Sequence, residues 1–157
     1  MSDLQCAATL LICCPGDADD AGLILPARSQ ARELGRSLGS ARVSMVYSSS
    51  APAAVQTAEL AAAPSLVMVR VRDGLGSPSP EARHRVVEEL QTIVDQHRGE
   101  TVLVVSDAAA VRSVVPPLAK NLPDDYGDSH DAPPCSVTEL AVDGDGWLVR
   151  SWAGRRV

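Results

Sequence analysis

A chain of 157 residues has room for one hydrophobic core and not comfortably for two. Hydrophobic residues make up 45%, but aromatics only 3% with no Phe, so Ala, Val, Leu and Ile must build the interior. The formal net charge of −6 excludes a general polyanion binder, because neutralising phosphates takes a basic face.

Neither a nucleic acid nor a membrane is therefore an expected partner. The longest apolar run, Cys6 to Cys14, is interrupted by Thr9 and is too short to span a bilayer. Met1 to Gln5 include Asp3 and no basic run, so no secretory leader is predicted. The cysteines Cys6, Cys13, Cys14 and Cys135 form neither a disulfide framework nor a Cys-x-x-Cys pair. Reduced thiols in the cytoplasm are the expectation, with no cofactor.

In chain order, Ala7 to Cys14 reads as a strand apolar on both faces, hence central. It ends in Cys14-Pro15-Gly16-Asp17, a turn at the carboxyl edge of a sheet, where open α/β folds bind ligands. Asp17 to Leu25 is an acidic loop. Pro26 opens a helix through Ala31, Leu34 and Leu38, with Gly39 as its stop. Val43 to Tyr47 is a strand, followed by Ser48, Ser49 and Ser50. Pro52 starts a helix to about Ala62, packing through Val55, Leu60 and several alanines, and Pro64 ends it. Leu66 to Val71 is a strand and Asp73 to Pro80 a loop. Glu81 to His97 is a helix with a stripe of Val86, Val87, Leu90, Ile93 and Val94. Thr101 to Val105 is a strand, and Ala108 to Ala119 a helix that Pro116 and Pro117 should distort or shorten. Asn121 to Pro134 reads as a mobile loop. Ser136 to Val142 and Trp147 to Trp152 form a hairpin over Asp143-Gly144-Asp145-Gly146, with Gly154 to Val157 as a tail. The alternation predicts an α/β fold of three layers, α/β/α: a mostly parallel sheet with an antiparallel C-terminal hairpin in one domain.

Several fragments on this pattern resemble the histidine phosphatase (phosphoglycerate mutase-like) superfamily over nearly the whole chain. Leu11-Ile-Cys-Cys-Pro-Gly-Asp17 lies where that family has a strand and then Arg-His-Gly-Glu. Gly22-Leu23 with Gln30-Ala31, and Val46-Tyr-Ser-Ser49 with Gln56-Thr-Ala-Glu59, resemble its next two segments. Gly99 to Ser106 with Val111-Arg112 is similar to the run around its second catalytic histidine. Cys135-Ser-Val-Thr138 with Asp143 to Trp147 resembles its closing hairpin. The resemblance implies a phosphoglycerate mutase-like fold. It also implies a chemistry in which a neutral histidine attacks phosphorus, two arginines and a second histidine hold the phosphoryl oxygens, and a carboxyl group protonates the leaving oxygen.

At those positions this chain differs. The nucleophile position falls on Pro15 and the arginine before it on Cys14. The second arginine falls on Ala53, and no Arg or Lys occurs between Val43 and Val69. The second histidine falls on Asp107, and the proton donor near Ser77, with Glu81 the nearest carboxylate. Only Gly16, which shapes the turn, and Arg112, one helical turn from the pocket floor, match. Losing two guanidinium groups and gaining Asp107 shifts the pocket by about three charge units, where one pair at ~4 Å is worth ~4 kcal/mol at an effective dielectric near 20. The implied status is a degenerate member that neither hydrolyses nor transfers phosphate by the family route.

The remaining candidates each have a plain and a functional reading. Cys14 is either a small buried apolar residue or a nucleophile, while Cys13 should point into a sheet–helix layer. Asp107 is either a helix N-cap or a general acid/base, and Asp17 could pair with it across the cleft. Asp17, Asp19, Asp20 and Asp107 lack the spacing of a calcium loop, so no metal is expected. Tyr126 and His130, on the mobile loop, could close over the pocket as a lid. No cap insertion follows the third strand, so the cleft should be open unless that loop or a second subunit of a homodimer covers it. Three functional classes follow. One is an interaction or regulatory subunit with a protein partner. Another is a repurposed lyase, isomerase or cyclase using Asp107, Asp17 or Cys14 on a non-phosphorylated small molecule. The third is a small-molecule binding module.

Overall fold

The computed structural model describes residues 6–76, 79 and 81–157. The first strand, β1 (Ala8–Cys13), alternates its side chains between two clusters. Leu10, Ile12 and Cys14 go to one face, Leu11 and Cys13 to the other, all nearly inaccessible to water. Being apolar on both faces, it takes the middle of the sheet. The acidic loop after it contains a two-residue ladder, β2 (Ala18–Asp19) with β3 (Gly22–Leu23). Then come α1 (Leu25–Ser37), β4 (Val43–Ser48), α2 (Pro52–Ala62) and β5 (Val69–Val71). The second half holds α3 (Arg83–Gln96), β6 (Thr101–Val105), α4 (Ala108–Leu118), α5 (Tyr126–Ser129), β7 (Val137–Asp143), β8 (Gly146–Trp152) and β9 (Arg155–Arg156).

The sheet runs in the order β5-β4-β6-β1-β7-β8-β9. The pairs β5–β4, β4–β6 and β6–β1 are parallel; β1–β7, β7–β8 and β8–β9 are antiparallel. One core cluster joins a face of the sheet to α3 and α4, and a second joins the other face to α2. This is the predicted mostly parallel sheet between helical layers, with the antiparallel hairpin at its C-terminal side.

Several local readings are corrected. The fully buried residues of α1 are Ala27, Ala31 and Gly35, with Leu34 and Leu38 half-buried beside them; α2 buries the predicted alanines, Ala54, Ala58, Ala61 and Ala62, with Thr57, while Val55 and Leu60 are only half-buried. The cause is closeness: a Cβ on Gly35 would lie 2.6 Å from the Ala61 carbonyl oxygen, so the seam between the two helices takes only small residues. The third strand begins at Val69, because Leu66 takes a left-handed conformation (φ 55°) after a 3₁₀ turn. In the hairpin, as an Asp-Gly turn requires, the positive φ falls on a glycine, Gly146. The tail turns back as β9.

Helix α4 runs through both prolines, because they sit in its last turn. Prolines at 116 and 117 cost it the N–H groups that would have bonded the carbonyls of Arg112 and Ser113. Gly127 seats its Cα against the freed Arg112 carbonyl, so closely that a Cβ would collide with it. The Arg112 side chain returns a hydrogen bond from Nε to the Gly127 carbonyl, at 2.7 Å. The segment read as a mobile loop is thereby docked. Lys120 N–H donates to Trp147 O (2.9 Å), Trp152 Nε1 donates to Asp131 O (2.9 Å), and Leu122 and Ala132 are buried.

Candidate functional site

Parallel strands bring their carboxyl ends to one edge, and Cys13, Cys14, Pro15, Gly16 and Asp107 lie at the ends of β1 and β6 there. The N–H of Ser106, after β6, donates to Cys13 O, and that of Ser49, after β4, to Val105 O, both at 3.0 Å. Because β7 runs antiparallel, its leading residues arrive at the same edge. Cys14 N–H donates to Ser136 O, and Cys135 N–H donates back to Cys14 O, both at 3.1 Å. The turn after β1 is thus clamped from both sides. Its Gly16 N–H donates to Thr57 Oγ1 (3.0 Å), whose hydroxyl donates to the Ala53 carbonyl (2.7 Å). Ala53, in the first turn of α2, is in this way tied to the Pro15–Gly16 turn. Gly16 is held tight, since a Cβ there would lie 2.9 Å from Ala27 Cβ and 3.3 Å from Cys135 Sγ.

Asp107 is the N-cap of α4: its carboxylate accepts from Ala110 N–H at 2.7 Å, and the residue is half-buried. Cys14 is buried, and burial first, then the charges of Asp107 and Asp131, push its thiol up to about 11 against the opposing hydrogen bond from Ser136. A thiol in that range is protonated near neutral pH, the state of a small buried apolar residue. Cys13 is fully buried on the other face, its thiol raised by burial, with Sγ donating to Cys14 O at 3.2 Å. Burial and the Asp17 charge raise Cys135 as well.

The carboxylate that joins Asp107 around Cys14 is Asp131, not Asp17. Asp17 is exposed and its charge acts on Cys135, whereas those of Asp107 and Asp131 act on Cys14. Asp131 was missed because it comes from the segment read as a loop. Its only sequence signal is its place shortly before Cys135, on chain that must return to the end of β1. Glu81 is exposed, and hydrogen bonds from its own N–H and from Ser79 hold its carboxyl below the usual range. That is opposite to what a proton donor needs. Ser77 lies outside the described residues; Asp73, exposed, is the first acid after β5.

Arg112 engages its Nε with the Gly127 carbonyl of the docked segment. The lid expectation for Tyr126 and His130 is also corrected. Their rings stack on each other (centroids 3.7 Å apart, 2° between planes), and Tyr126 meets Trp152 edge-on at 5.2 Å. His130 Nδ1 is tied to Tyr126 O at 2.9 Å, and the residue lines a separate hollow of about 280 Å³ with Asp131, Trp152 and Arg155. Among the described residues no three His, Cys, Asp or Glu side chains are gathered to hold a metal, and the four cysteines are free thiols. Nor, among those residues, is any helix long and apolar enough to cross a membrane.

A strand order reversing at β1, an antiparallel closing hairpin and a ligand edge built from the ends of β1, β4 and β6 define an α/β protein of the phosphoglycerate mutase-like class. The model of the histidine phosphatase superfamily (branch 1) matches residues 16–77 and 76–154, and the chain belongs to that family. The first matched segment begins at Gly16, just past Pro15. Among solved structures, YhfR of Bacillus stearothermophilus is 22% identical, with 96% of this chain and 98% of that one covered at a TM-score of 0.78. The mycobacterial glucosyl-3-phosphoglycerate phosphatase, in complex with VO3, is 15% identical, with 92% and 98% covered and the same TM-score of 0.78. A putative alpha-ribazole-5'-P phosphatase of Escherichia coli is 14% identical, with 96% and 98% covered at 0.79. At these identities the likeness is one of fold. No curated protein matches the chain.

Proposed function

We propose that this chain is a catalytically degenerate histidine-phosphatase-fold protein that serves as an interaction or regulatory subunit in the cytoplasm. One observation carries the reading: the turn that the fold delivers to its ligand edge presents Pro15, which has no side-chain nucleophile. Beside it the Cys14 thiol is buried and protonated, and the charges of Asp107 and Asp131 act on that thiol. The sign of that environment opposes a phosphate dianion, and neither Cys14 nor Ala53 can supply a guanidinium clamp. In a p-nitrophenyl phosphate assay the purified protein is expected to give no turnover above background. Pro15→His alone is expected to restore none, because the clamp is still missing. Turnover by the wild type would overturn the reading.

A second reading rests on Asp107, a half-buried carboxylate beside Cys14 that could do acid/base work on a non-phosphorylated substrate. Asp107→Asn keeps the cap and removes the charge. A metabolite whose binding raises the melting temperature of the wild type but not of this variant would favour the second reading.

A further inference from the structure

The two edges of the sheet are treated differently. The outer edge of β8 is closed along its length. Lys120 N–H donates to Trp147 O, the Asn121 side chain donates to Val149 O (2.8 Å) and accepts from Val149 N–H (3.0 Å), and β9 pairs with Ser151 and Trp152. The β5 edge is open. Met68 O accepts from Val46 N–H and Arg72 N–H donates to Ser48 O, so residues of that parity turn their main-chain groups to β4. Val69 and Val71 turn theirs outward, where they meet no partner among the described residues. The side chains beside this edge are apolar and accessible: Leu66 is 92% exposed, Met68 60% and Val71 50%. Only its shortness and Arg70 blunt this edge; its outward main-chain groups and these apolar side chains remain uncovered among the described residues.

The edge also has a charge. Val67 and Val69 pack toward the α2 face, whereas Arg70 and Arg72 share the opposite face, Arg72 lying 5.6 Å above the Tyr47 ring. Among the described residues neither arginine has an ion-pair partner, in a chain whose net charge is −6. A second copy pairing antiparallel about Val69 would set Arg70 diagonally across from its own mate, with both copies of Arg72 on the same face, so four guanidinium groups would repel. An extended segment with acidic side chains opposite Arg70 and Arg72, and apolar ones opposite Val69 and Val71, meets both requirements.

We infer that the open edge of β5 is a strand-addition site for an extended segment of a protein partner that alternates apolar and acidic residues. The inference rests on the interaction role proposed above and names its surface.

The test is fluorescence anisotropy on the full chain with a short synthetic peptide alternating valine and glutamate. A control peptide carries lysine in place of glutamate, and light scattering reports the oligomeric state. Saturable binding of the acidic peptide alone is expected, weakening steeply toward about 1 M salt, where the Debye length is only about 3 Å. Val69→Pro deletes an outward N–H and no bond to β4, and should abolish binding while the fold persists. Arg70→Glu should weaken binding about tenfold by reversing one cross-strand charge pair. No binding of the acidic peptide, equal binding of both peptides, or a dimer dissolved by Val69→Pro would each overturn the inference. Those outcomes leave the subunit reading standing if phosphate-ester turnover stays at background; turnover itself would sink that reading whatever the edge binds.

Discussion

Burial holds the Cys14 thiol near 11, well above the ~8.5 of a thiol in the unfolded chain. A raised folded-state value gives stability that is complete below the unfolded pKa and is lost as pH rises through the folded one. Unfolding free energy should therefore fall between about pH 8.5 and pH 11, with a slope approaching roughly 1.4 kcal/mol per pH unit. The buried Cys13 adds in the same direction. Urea midpoints near pH 8 and near pH 10.5 check this; a wild-type midpoint that falls no further with alkali than that of Cys14→Ala would refute it. Asp107 allows a sharper separation. As an N-cap it should cost about 1 kcal/mol on replacement by Ala and close to nothing on replacement by Asn. Equal losses in both variants, read from the same denaturation curves, would show that its charge and not its cap bond matters to the fold.

At the scale of elements, helix and strand identities were legible because each carries its own period and its own punctuation. Pro26 and Pro52 stand in the first turns of α1 and α2, and Val86, Leu90, Ile93 and Val94 face the core from α3. What was not legible depends on neighbours. The α1–α2 seam chose Ala and Gly over Leu because the backbones approach closely, a tertiary fact with no local signature. The Asn121–Pro134 segment looked like a mobile lid from composition, yet it is fixed by partners distant in sequence: the Arg112 carbonyl, Trp147 and Trp152. For the same reason Asp131 escaped notice while Cys14, Gly16 and Asp107, at strand ends, did not. The docking makes Gly127 critical. Gly127→Ala should lower stability by about 2–3 kcal/mol, the scale of forcing a core to overpack, measured by chemical denaturation. A loss no larger than that of an exposed surface alanine would show that the segment moves freely after all.

Over the whole molecule, the family's fold is kept, and in the role proposed above its strand-end edge no longer accepts a phosphoryl group. The parallel strands still deliver their chain ends to one place, and the β1 turn is still clamped by Thr57 and by the returning Cys135–Ser136 strand. That clamp holds Pro15 and the buried Cys14, and accessible apolar side chains flank β5. The most direct test of the changed edge is a thermal-shift titration of the wild-type protein with inorganic phosphate and with vanadate. A bound anion at a hundredfold excess over its Kd stabilises by about 2.7 kcal/mol, a readily measured rise in melting temperature. No saturable shift with either anion is expected. A saturating shift that disappears on substitution at the Pro15–Gly16 turn would mean that the edge still accepts a phosphoryl group, contrary to the role proposed for this chain.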